Sequence, residues 1–544
     1  DAKTITITDN GDGMTREQLA ENLGTIARSG TKEYFARLAE AAKADASFIG
    51  QFGVGFYSAF MVAHKVVVET RSFHADALGW RWESDGRSNY TIAPAEGLAR
   101  GTRITLHLNE EGEEFAKEWR AKEIVRKFSS FVPFPILLGN ERLNTVQAIW
   151  TRNKSDVSAE EYSEFFKFVS GDPQEPHFTF HFTADAPLAI KALLFVPKDN
   201  FERMGLGRVK PGVDLHCRKV LIMKGPEELL PEWMRFVRGV IDSDDLSLNI
   251  SRETLQDNRV VRKLSQVVTG RFLKFLAEKA EKEPEQYAEF YKAFHVFLKE
   301  GATQDFAHRD ELARLLRFET SALEAGKTCS LADYVSRMCP GQKDIYHISG
   351  PSREAIEAGP YLEAFKARGL EVLYTFEQID DFVLSSLMKF EDKRFVSADQ
   401  QDLELPGEAA VPQGEPLADG EMRALCEWMK EVLGERVSDV KPSSRLVDSP
   451  AAATTLAGMS GSMQRLMMAM KRDAAPGSGL VALELNPRSA LVHRVNALRA
   501  ENAEFARDLA EQLLDNALLA AGLLMDPRRM VERMTRLLGK AAGV

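Results

Sequence analysis

The sequence is poor in cysteine, in long apolar runs and in excess positive charge. Its four cysteines, Cys217, Cys329, Cys339 and Cys426, show no metal-ligand spacing and fit free thiols in a reducing compartment. No apolar run approaches the roughly 20 residues that a transmembrane helix needs, so we expect no membrane partner. The net charge of −11 argues against nucleic acid as a partner.

The chain also has no initiating methionine, since it starts at Asp1. Residues 2–8 alternate like an interior strand, and we interpret the chain as a fragment or a truncated gene product. Its 544 residues predict three or four domains at roughly 100–200 residues each. Hydrophobic content of 44% and charged content of 28% are normal for a globular protein.

Two glycine-rich segments stand out near the start of the chain: Asp9-Asn-Gly-Asp-Gly-Met14 and Gly50-Gln-Phe-Gly-Val-Gly-Phe-Tyr-Ser58. Gly11 and Gly13 predict a tight turn at positive φ, with the Asp9 carboxylate offered to the exocyclic amine of a purine. The second segment predicts a loop that runs into an apolar helix over 56–63, where backbone N–H groups suit phosphate oxygens. Together they predict half of a nucleotide pocket.

These segments resemble the ATP-binding domain of the 90-kDa heat-shock-protein chaperones, in the superfamily that also holds gyrase subunits, mismatch-repair ATPases and histidine kinases. Further segments carry the resemblance through most of the chain: Gly24–Thr31, Ala148–Lys154, Arg235–Asp242 and Leu248–Gln256. The chain lacks the acidic linker and tail of the eukaryotic cytosolic members. It is similar to the bacterial high-temperature protein G and mitochondrial branches.

The resemblance implies ATP and Mg²⁺ as cofactors. It implies a nucleotide site made of Asp9, Gly13, Met14, Asn22, Gly50, Gln51, Phe52, Gly53, Val54, Gly55, Phe56 and Thr102. Arg252 is expected to reach the γ-phosphate with Gln256 as its companion, because a planar guanidinium matches phosphate oxygens. The family's water-orienting glutamate and Mg²⁺-binding asparagine precede Asp9 and are missing, so we expect this chain to bind ATP poorly and to hydrolyse little.

We predict an α/β (α+β) multidomain fold. Residues 1–139 form an incomplete nucleotide-binding α/β sandwich, residues 145–398 a middle α/β domain and residues 418–544 a helix-rich dimerisation domain, with a linker over 399–417. A capping box opens a helix at Thr15, and residues 24–55 are expected to form a lid. Strands are expected at 65–71, 79–83, 89–92 and 103–108, and helices at 113–131, 260–282 and 285–299.

Apolar stripes at helical spacing predict two kinds of protein contact. A four-helix bundle with a second copy would bury Phe505, Leu509, Leu513 and Leu514 together with Met530, Met534, Leu537 and Leu538, unless these pack within their own domain. A methionine-rich stripe is expected to touch clients: Met459, Met463, Leu466, Met467 and Met470. The alternative is an ordinary core helix. Trp150 is assigned to the client surface as well, and Phe195 to the core.

The sequence therefore predicts a homodimeric, ATP-driven chaperone that clamps partly folded clients, in the bacterial cytoplasm or in the mitochondrial matrix. One alternative is a passive holdase or dimer scaffold without ATP turnover. Another is a histidine kinase or mismatch-repair ATPase, although no histidine has a phospho-acceptor context.

Overall fold

A computed structural model describes residues 3–24, 55–87, 89–144, 146–205, 207–246, 258–407, 414–455, 481–524 and 526–542. The chain divides into two compact units, Asp1–Phe272 and Leu273–Val544. The predicted mixed α/β, multidomain fold class is confirmed, since helices and several separate sheets occur in both units. No helix in these ranges combines the length and apolar character needed to span a bilayer. The domain limits proposed from the sequence stay predictions.

The first unit begins with a five-stranded antiparallel sheet of order β1-β5-β2-β3-β4. Its strands are β1 (Thr4–Asp9), β2 (Ala63–Arg71), β3 (Gly79–Ser84), β4 (Tyr90–Pro94) and β5 (Gly101–Leu108). The four strands expected after residue 64 are confirmed with small differences at their ends.

The expected interior strand at the start of the chain is wrong for the described residues. β1 pairs with β5 and lies at the edge of the sheet. Ile5 packs against the core, but Ile7 is 57% exposed. Alternation of threonine and isoleucine indicates a half-buried strand. It does not distinguish a strand at the edge of a sheet from a central strand.

Helix α1 (Arg16–Leu23) covers one face of this sheet and begins where the capping box predicted. The Gln18 N–H donates to the Thr15 hydroxyl, and the Thr15 N–H donates to the Gln18 side chain at 2.9 Å. Leu19 is buried in one core with Val66 and Val68 of β2 and with Trp82 of β3. The lid expected over 24–55 falls almost entirely outside the described residues.

Two short helical segments follow the glycine loop. A 3-10 turn spans Gly55–Ser58 and helix α2 spans Ala59–Val62, and Ala63 already opens β2. The apolar helix expected over 56–63 is therefore confirmed as a shorter, mixed element.

Helix α3 (Glu118–Phe128) and a short hairpin of β6 (Leu137–Leu138) and β7 (Glu141–Arg142) lead out of the first sheet. A 3-10 turn at Glu113–Ala116 precedes α3, so the helix expected over 113–131 is broken into two pieces. Asn144 holds the hairpin, because its amide donates to the carbonyls of Val132 and Phe134 at 3.0 and 2.6 Å.

The second sheet has the order β11-β10-β12-β9-β8 and packs against helix α4 (Ala159–Ser170). Its strands are β8 (Phe178–Ala184), β9 (Ile190–Val196), β10 (Gly212–Cys217), β11 (Val220–Met223) and β12 (Arg238–Ser243). His216 and Cys217 are the last two residues of β10, and both are buried. Phe195 is fully buried in the core, as expected.

The assignment of Trp150 to the client surface is corrected by this packing. Trp150 is 0% exposed, and its indole N–H donates to Asp242 at 3.0 Å. Its ring meets Phe131 edge-on at 4.6 Å. A side chain enclosed in this way holds the domain core together and offers no surface to a client.

Long helices connect the second and third sheets: α5 (Asn258–Lys282), α6 (Pro284–Gln304) and α7 (Arg309–Leu315). The two helices expected over 260–282 and 285–299 are confirmed. Aromatic side chains of α6, among them Tyr287, Phe290 and Phe294, are buried in the second unit.

The third sheet has the order β13-β15-β14-β17-β16. Its strands are β13 (Glu319–Thr320), β14 (Asp344–Ser349), β15 (Leu373–Thr375), β16 (Lys389–Phe390) and β17 (Lys393–Ser397). β14 runs parallel to β15 on one side and to β17 on the other. Its helices are α8 (Leu331–Ser336), α9 (Arg353–Glu357), α10 (Glu363–Lys366) and α11 (Gln378–Leu387).

The end of the chain combines helices with a three-stranded sheet that the sequence did not predict. Its elements are α12 (Asp419–Leu433), β18 (Asp439–Pro442), β19 (Ala451–Thr455), β20 (Val481–Leu485), α13 (Ala490–Glu501), α14 (Ala503–Ala520) and α15 (Arg528–Ala542). The described parts of the expected linker pack against these elements. Leu403 and Leu405 contact one core cluster, and Leu417 is buried in another.

The two stripes assigned to dimerisation divide between the core and the surface. Leu513 and Leu514 are buried in the core of their own domain and Leu509 packs against it, so for these three the alternative is correct. Met530 is also buried. Phe505 and Leu537 are partly buried, and Met534 and Leu538 remain 41% and 62% exposed.

Candidate functional site

The first candidate site is the turn that follows β1. The Asp9 carboxylate accepts the N–H of Gly11 at 2.9 Å, which closes the turn on itself. Gly13 has φ +60, and a Cβ there would lie 1.9 Å from the carbonyl oxygen of Arg71. The positive φ at Gly13 is as predicted, and the close approach of the Arg71 carbonyl is a second reason for glycine there. The expectation of positive φ at Gly11 is wrong, because Gly11 does not have a positive φ.

The Thr70 hydroxyl fastens this turn to the sheet. It accepts the N–H of Met14 at 3.0 Å and lies 3.1 Å from the Thr102 hydroxyl. It also lies 3.0 Å from the Gly101 carbonyl, to which it donates. Thr102 is paired directly opposite Asp9 across β5 and β1. Thr102 therefore reaches the Asp9 turn through Thr70 and through the strand pairing.

Thr70 was missed in the sequence, although a signal for it exists. Val66, Val68 and Thr70 alternate on one face of β2, and this face is buried. The hydroxyl of a threonine that continues a buried valine series needs hydrogen-bond partners. A threonine at such a position therefore indicates polar groups close to it in the fold.

Two further contacts hold the outer side of the turn. The Phe73 N–H donates to the Asp12 carbonyl at 2.8 Å. The Arg100 guanidinium donates to the Gly11 carbonyl at 3.0 Å and pairs with Asp12 at 3.4 Å. Both sides of the turn are thus fixed, and the Asp9 side chain is exposed at its tip.

The remaining described site residues lie around the same apolar core. Asn22 is on α1, one turn beyond the buried Leu19. Gly55 and Phe56 open the 3-10 turn, and the Phe56 ring meets Trp82 edge-on at 5.6 Å. The Tyr57 hydroxyl donates to the Leu23 carbonyl at 3.1 Å, and burial raises the pKa of this phenol. The end of α1 and the start of this turn are thereby tied together.

Several predicted site residues lie outside the described residues. They are Gly50, Gln51, Phe52, Gly53 and Val54 of the glycine loop, Arg252 and Gln256, and Met459, Met463, Leu466, Met467 and Met470 of the methionine stripe. Within the described ranges, no group of three or more His, Cys, Asp or Glu side chains is placed to hold a metal ion.

The described half-site fits the adenine end of a nucleotide. Asp9 offers an exposed carboxylate that can accept the hydrogen bonds of an exocyclic amine. Met14 lies partly buried beside it at the edge of the apolar core, where a flat base can pack. Glycine at position 13 keeps the backbone close to the sheet and leaves the face of the turn free of side-chain bulk.

The fold and this half-site define an ATPase domain of the type shared by several enzyme families. Residues 1–92 match the family described as "Histidine kinase-, DNA gyrase B-, and HSP90-like ATPase". Residues 138–544 match the family described as "Hsp90 protein". The chain belongs to the Hsp90 family.

Individual relatives agree with this family over nearly the whole chain. The chain is 52% identical to "Chaperone protein HtpG" of Desulfitobacterium hafniense, over 99% of this chain and 88% of that protein. It is 50% identical to the protein of the same name in Desulfotalea psychrophila, with the same coverage of both chains. It is 41% identical to "Heat shock protein 75 kDa, mitochondrial" of Bos taurus, over 99% of this chain and 78% of that protein.

Proposed function

We propose that this protein is an ATP-dependent chaperone whose nucleotide binds at the Asp9 turn. The observation that carries the proposal is the hydrogen-bonded connection of the turn with Thr70 and Thr102. This connection lies within a chain that aligns almost completely with proteins named HtpG. In this proposal Asp9 accepts the adenine amine, and Thr70 and Thr102 hold the turn in the binding geometry.

Hydrolysis is proposed to depend on Arg252, which neutralises charge on the γ-phosphate with Gln256 beside it. The Gly50–Gly55 loop is proposed to hold the phosphates through backbone N–H groups. Closing and reopening of this region would clamp and release a client, and such conformational steps commonly limit turnover.

The deciding experiment is titration calorimetry with ATP and Mg²⁺ on the 544-residue chain and on Asp9→Asn. We expect Asp9→Asn to bind at least tenfold more weakly, since an amide presents one acceptor oxygen and no charge. Asp12→Asn is the matched control, because its carboxylate faces Arg100 on the outer side of the turn. Equal ATP affinity of the chain and Asp9→Asn would refute the site.

The ATPase part of the proposal has a separate test. We expect little turnover by the 544-residue chain, and an ATPase activity that disappears in Arg252→Ala while ATP binding is retained would contradict this expectation. A chain that suppresses client aggregation equally well with and without ATP would instead support the passive holdase.

We propose that the functional unit is a homodimer formed by the C-terminal helices. Met534 and Leu538 are exposed on α15. Large apolar side chains exposed on one face of a helix suit a self-complementary two-fold contact. Met534→Ser with Leu538→Ser should shift sedimentation toward the monomer. Glu532→Ser, at an exposed position on another face of α15, is the control.

Clients are proposed to bind the methionine stripe from Met459 to Met470, because methionine adapts to varied apolar partners. Met463→Ser with Met467→Ser should weaken suppression of client aggregation with little change in melting temperature. A large loss of melting temperature would assign the stripe to a core.

We place the protein in the bacterial cytoplasm, with the mitochondrial matrix as the alternative. Identities of 52% and 50% to bacterial relatives against 41% to a mitochondrial one support this order.

A further inference from the structure

A cavity of about 550 Å³ opens at the carboxyl edge of the third sheet, in the second unit. Ser349 ends β14, Thr375 ends β15 and Asp399 follows β17, and all three line it. β14 pairs in parallel with β15 on one side and with β17 on the other. After β14 the chain therefore adds one strand on each side of it, and the direction of strand order reverses at β14. Open α/β sheets bind ligands outside the carboxyl ends of strands at such a reversal.

The floor of the cavity presents oxygen lone pairs. The Ser349 hydroxyl lies 2.9 Å from the Asp381 carboxylate, to which it donates, and 2.6 Å from the Thr375 hydroxyl. The Thr375 hydroxyl also lies 3.2 Å from the Ile348 carbonyl, and its one proton is donated either to this oxygen or to the Ser349 hydroxyl. Each hydroxyl carries one proton, and each proton has a partner inside this network. The network therefore suits a ligand that donates N–H hydrogen bonds.

The start of α11, which also lines the cavity, is unsuited to an anion. The N–H groups of Phe376 and Glu377 donate to Asp380 at 3.2 and 3.1 Å, so they are already used. The side chains of His295 and Lys299 hold the pKa of the Glu377 carboxyl down at about 2. The two oxygens of Glu377 lie 2.8 Å from His295 and 2.8 Å from Lys299, so the charge of Lys299 is engaged by this carboxylate.

The walls of the cavity are apolar. Ile348 and Ile356 are buried beside the hydroxyl network. Phe376, Phe382 and Leu519 line the mouth and are each more than one third exposed. A ligand that fills this space needs an apolar body next to its donor group.

We propose that this cavity binds a small apolar molecule that carries a protonated amine. The ammonium group donates to Asp381, Ser349 and Thr375, and the apolar body packs between Phe376, Phe382 and Leu519. The volume of the cavity lies within the roughly 300–1,000 Å³ that is typical of small-molecule sites. This volume favours a free ligand over a folded protein partner. The proposal is independent of ATP binding at the Asp9 turn.

Two fluorescent probes with the same apolar group test the recognition of charge. Dansylcadaverine carries a primary ammonium, and dansylglycine carries a carboxylate. We expect dansylcadaverine to show saturable, blue-shifted emission with the 544-residue chain, and dansylglycine to bind at least tenfold more weakly. Equal affinities, or no saturable signal with dansylcadaverine, would overturn the proposal.

Variants of the cavity test its location. Asp381→Asn keeps the shape of the side chain and should weaken dansylcadaverine at least tenfold, whereas Glu404→Gln, at an exposed acid outside the lining, should not. Ala355→Trp adds bulk at the lining and should also weaken the probe, whereas Ala358→Trp, outside the lining, should not. Unchanged binding in Ala355→Trp would refute the site even where Asp381→Asn does not fold.

Discussion

The ion pairs of the first sheet differ from two buried ion pairs of the second unit in their exposure to solvent. Around the first sheet the ion pairs Lys65–Glu83, Arg81–Glu69 and Arg100–Asp12 are all substantially exposed to solvent. In the second unit the pairs Lys299–Asp380 and Arg533–Asp515 are almost completely buried. Exposed pairs contribute about 0–1 kcal/mol, whereas removal of one partner from a buried pair costs about 3–5 kcal/mol.

This difference matches the two candidate sites. The Asp9 turn lies at an exposed sheet edge and is held by backbone N–H groups and threonine hydroxyls, so its carboxylate stays open to a ligand. Asp381 lies at the floor of a cavity, and a serine hydroxyl donates to it. The first site needs a particular backbone conformation, and the second needs a particular arrangement of packed strands.

The largest expected effect comes from breaking the buried ionic cluster of the C-terminal helices. Asp515 is buried and accepts from Arg533 of α15 and from Arg436. Asp515→Ala leaves two guanidinium groups without this partner and should lower the free energy of unfolding by about 3–5 kcal/mol. The measurement is urea-induced unfolding of the full chain.

Asp508→Ala is the control for the buried cluster. Asp508 also pairs with α15, but its partner Arg536 is more than half exposed and lies 2.8 Å away. We expect a loss of at most about 1 kcal/mol. Similar losses for both aspartates would contradict the contrast between buried and exposed pairs.

The next largest effect concerns the backbone of the nucleotide half-site. Gly13→Ala adds a Cβ against the Arg71 carbonyl at positive φ and should cost about 1–3 kcal/mol. Calorimetry should show ATP affinity reduced at least tenfold. Gly97→Ala is the matched control, because Gly97 also has positive φ but its Cβ would meet nothing within 4 Å. An unchanged ATP affinity in Gly13→Ala would show that the turn does not contact the nucleotide.

A smaller effect is expected from Thr70→Val. It removes the acceptor of the partly buried Met14 N–H and should lower the free energy of unfolding by about 1–2 kcal/mol. ATP should bind more weakly, because the Asp9 turn loses its attachment to the sheet. Thr70→Ser keeps the hydroxyl and should restore ATP affinity. Weak ATP binding in both variants would indicate that the methyl group, rather than the hydroxyl, is needed.

The smallest effect is a pH dependence in the second unit. Hydrogen bonding from His295 and Lys299 lowers the pKa of Glu377 to about 2, and Asp380 on the same helix also faces Lys299. A carboxyl whose pKa is lowered in the folded state stabilises the fold at pH values above the ordinary glutamate pKa. This stabilisation is lost as the pH falls toward about 2. Thus the difference in urea midpoint between the chain and Glu377→Gln should shrink as pH falls from 5 to 3. A constant difference would contradict the assigned pairing, and Glu404→Gln should show none.

Much of the fold could be predicted because its signals are local. The capping box at Thr15 begins a helix one residue later, and alternation in β2 marks a real strand. The positive φ of Gly13 follows from the turn that its neighbours form. These features depend on residues within one turn or one strand, so the local sequence contains the information.

The errors involve partners that are distant in the sequence. Trp150 has the composition of a contact residue, but Asp242 and Phe131 enclose it. Leu513 and Leu514 form a stripe that fits a dimer, but β19 and β20 cover it within the same chain. Apolar periodicity shows that a face is buried and does not show which surface buries it.

By itself, the sequence determined the family, the fold class and the glycine turn that follows Asp9, because these depend on contiguous motifs. Tertiary structure alone decided the edge position of β1, the role of Thr70 and the burial of Trp150. It also decided the cavity that brings Ser349, Thr375 and Asp381 together. Strand order and long-range packing place such residues side by side, and no spacing along the chain records that placement.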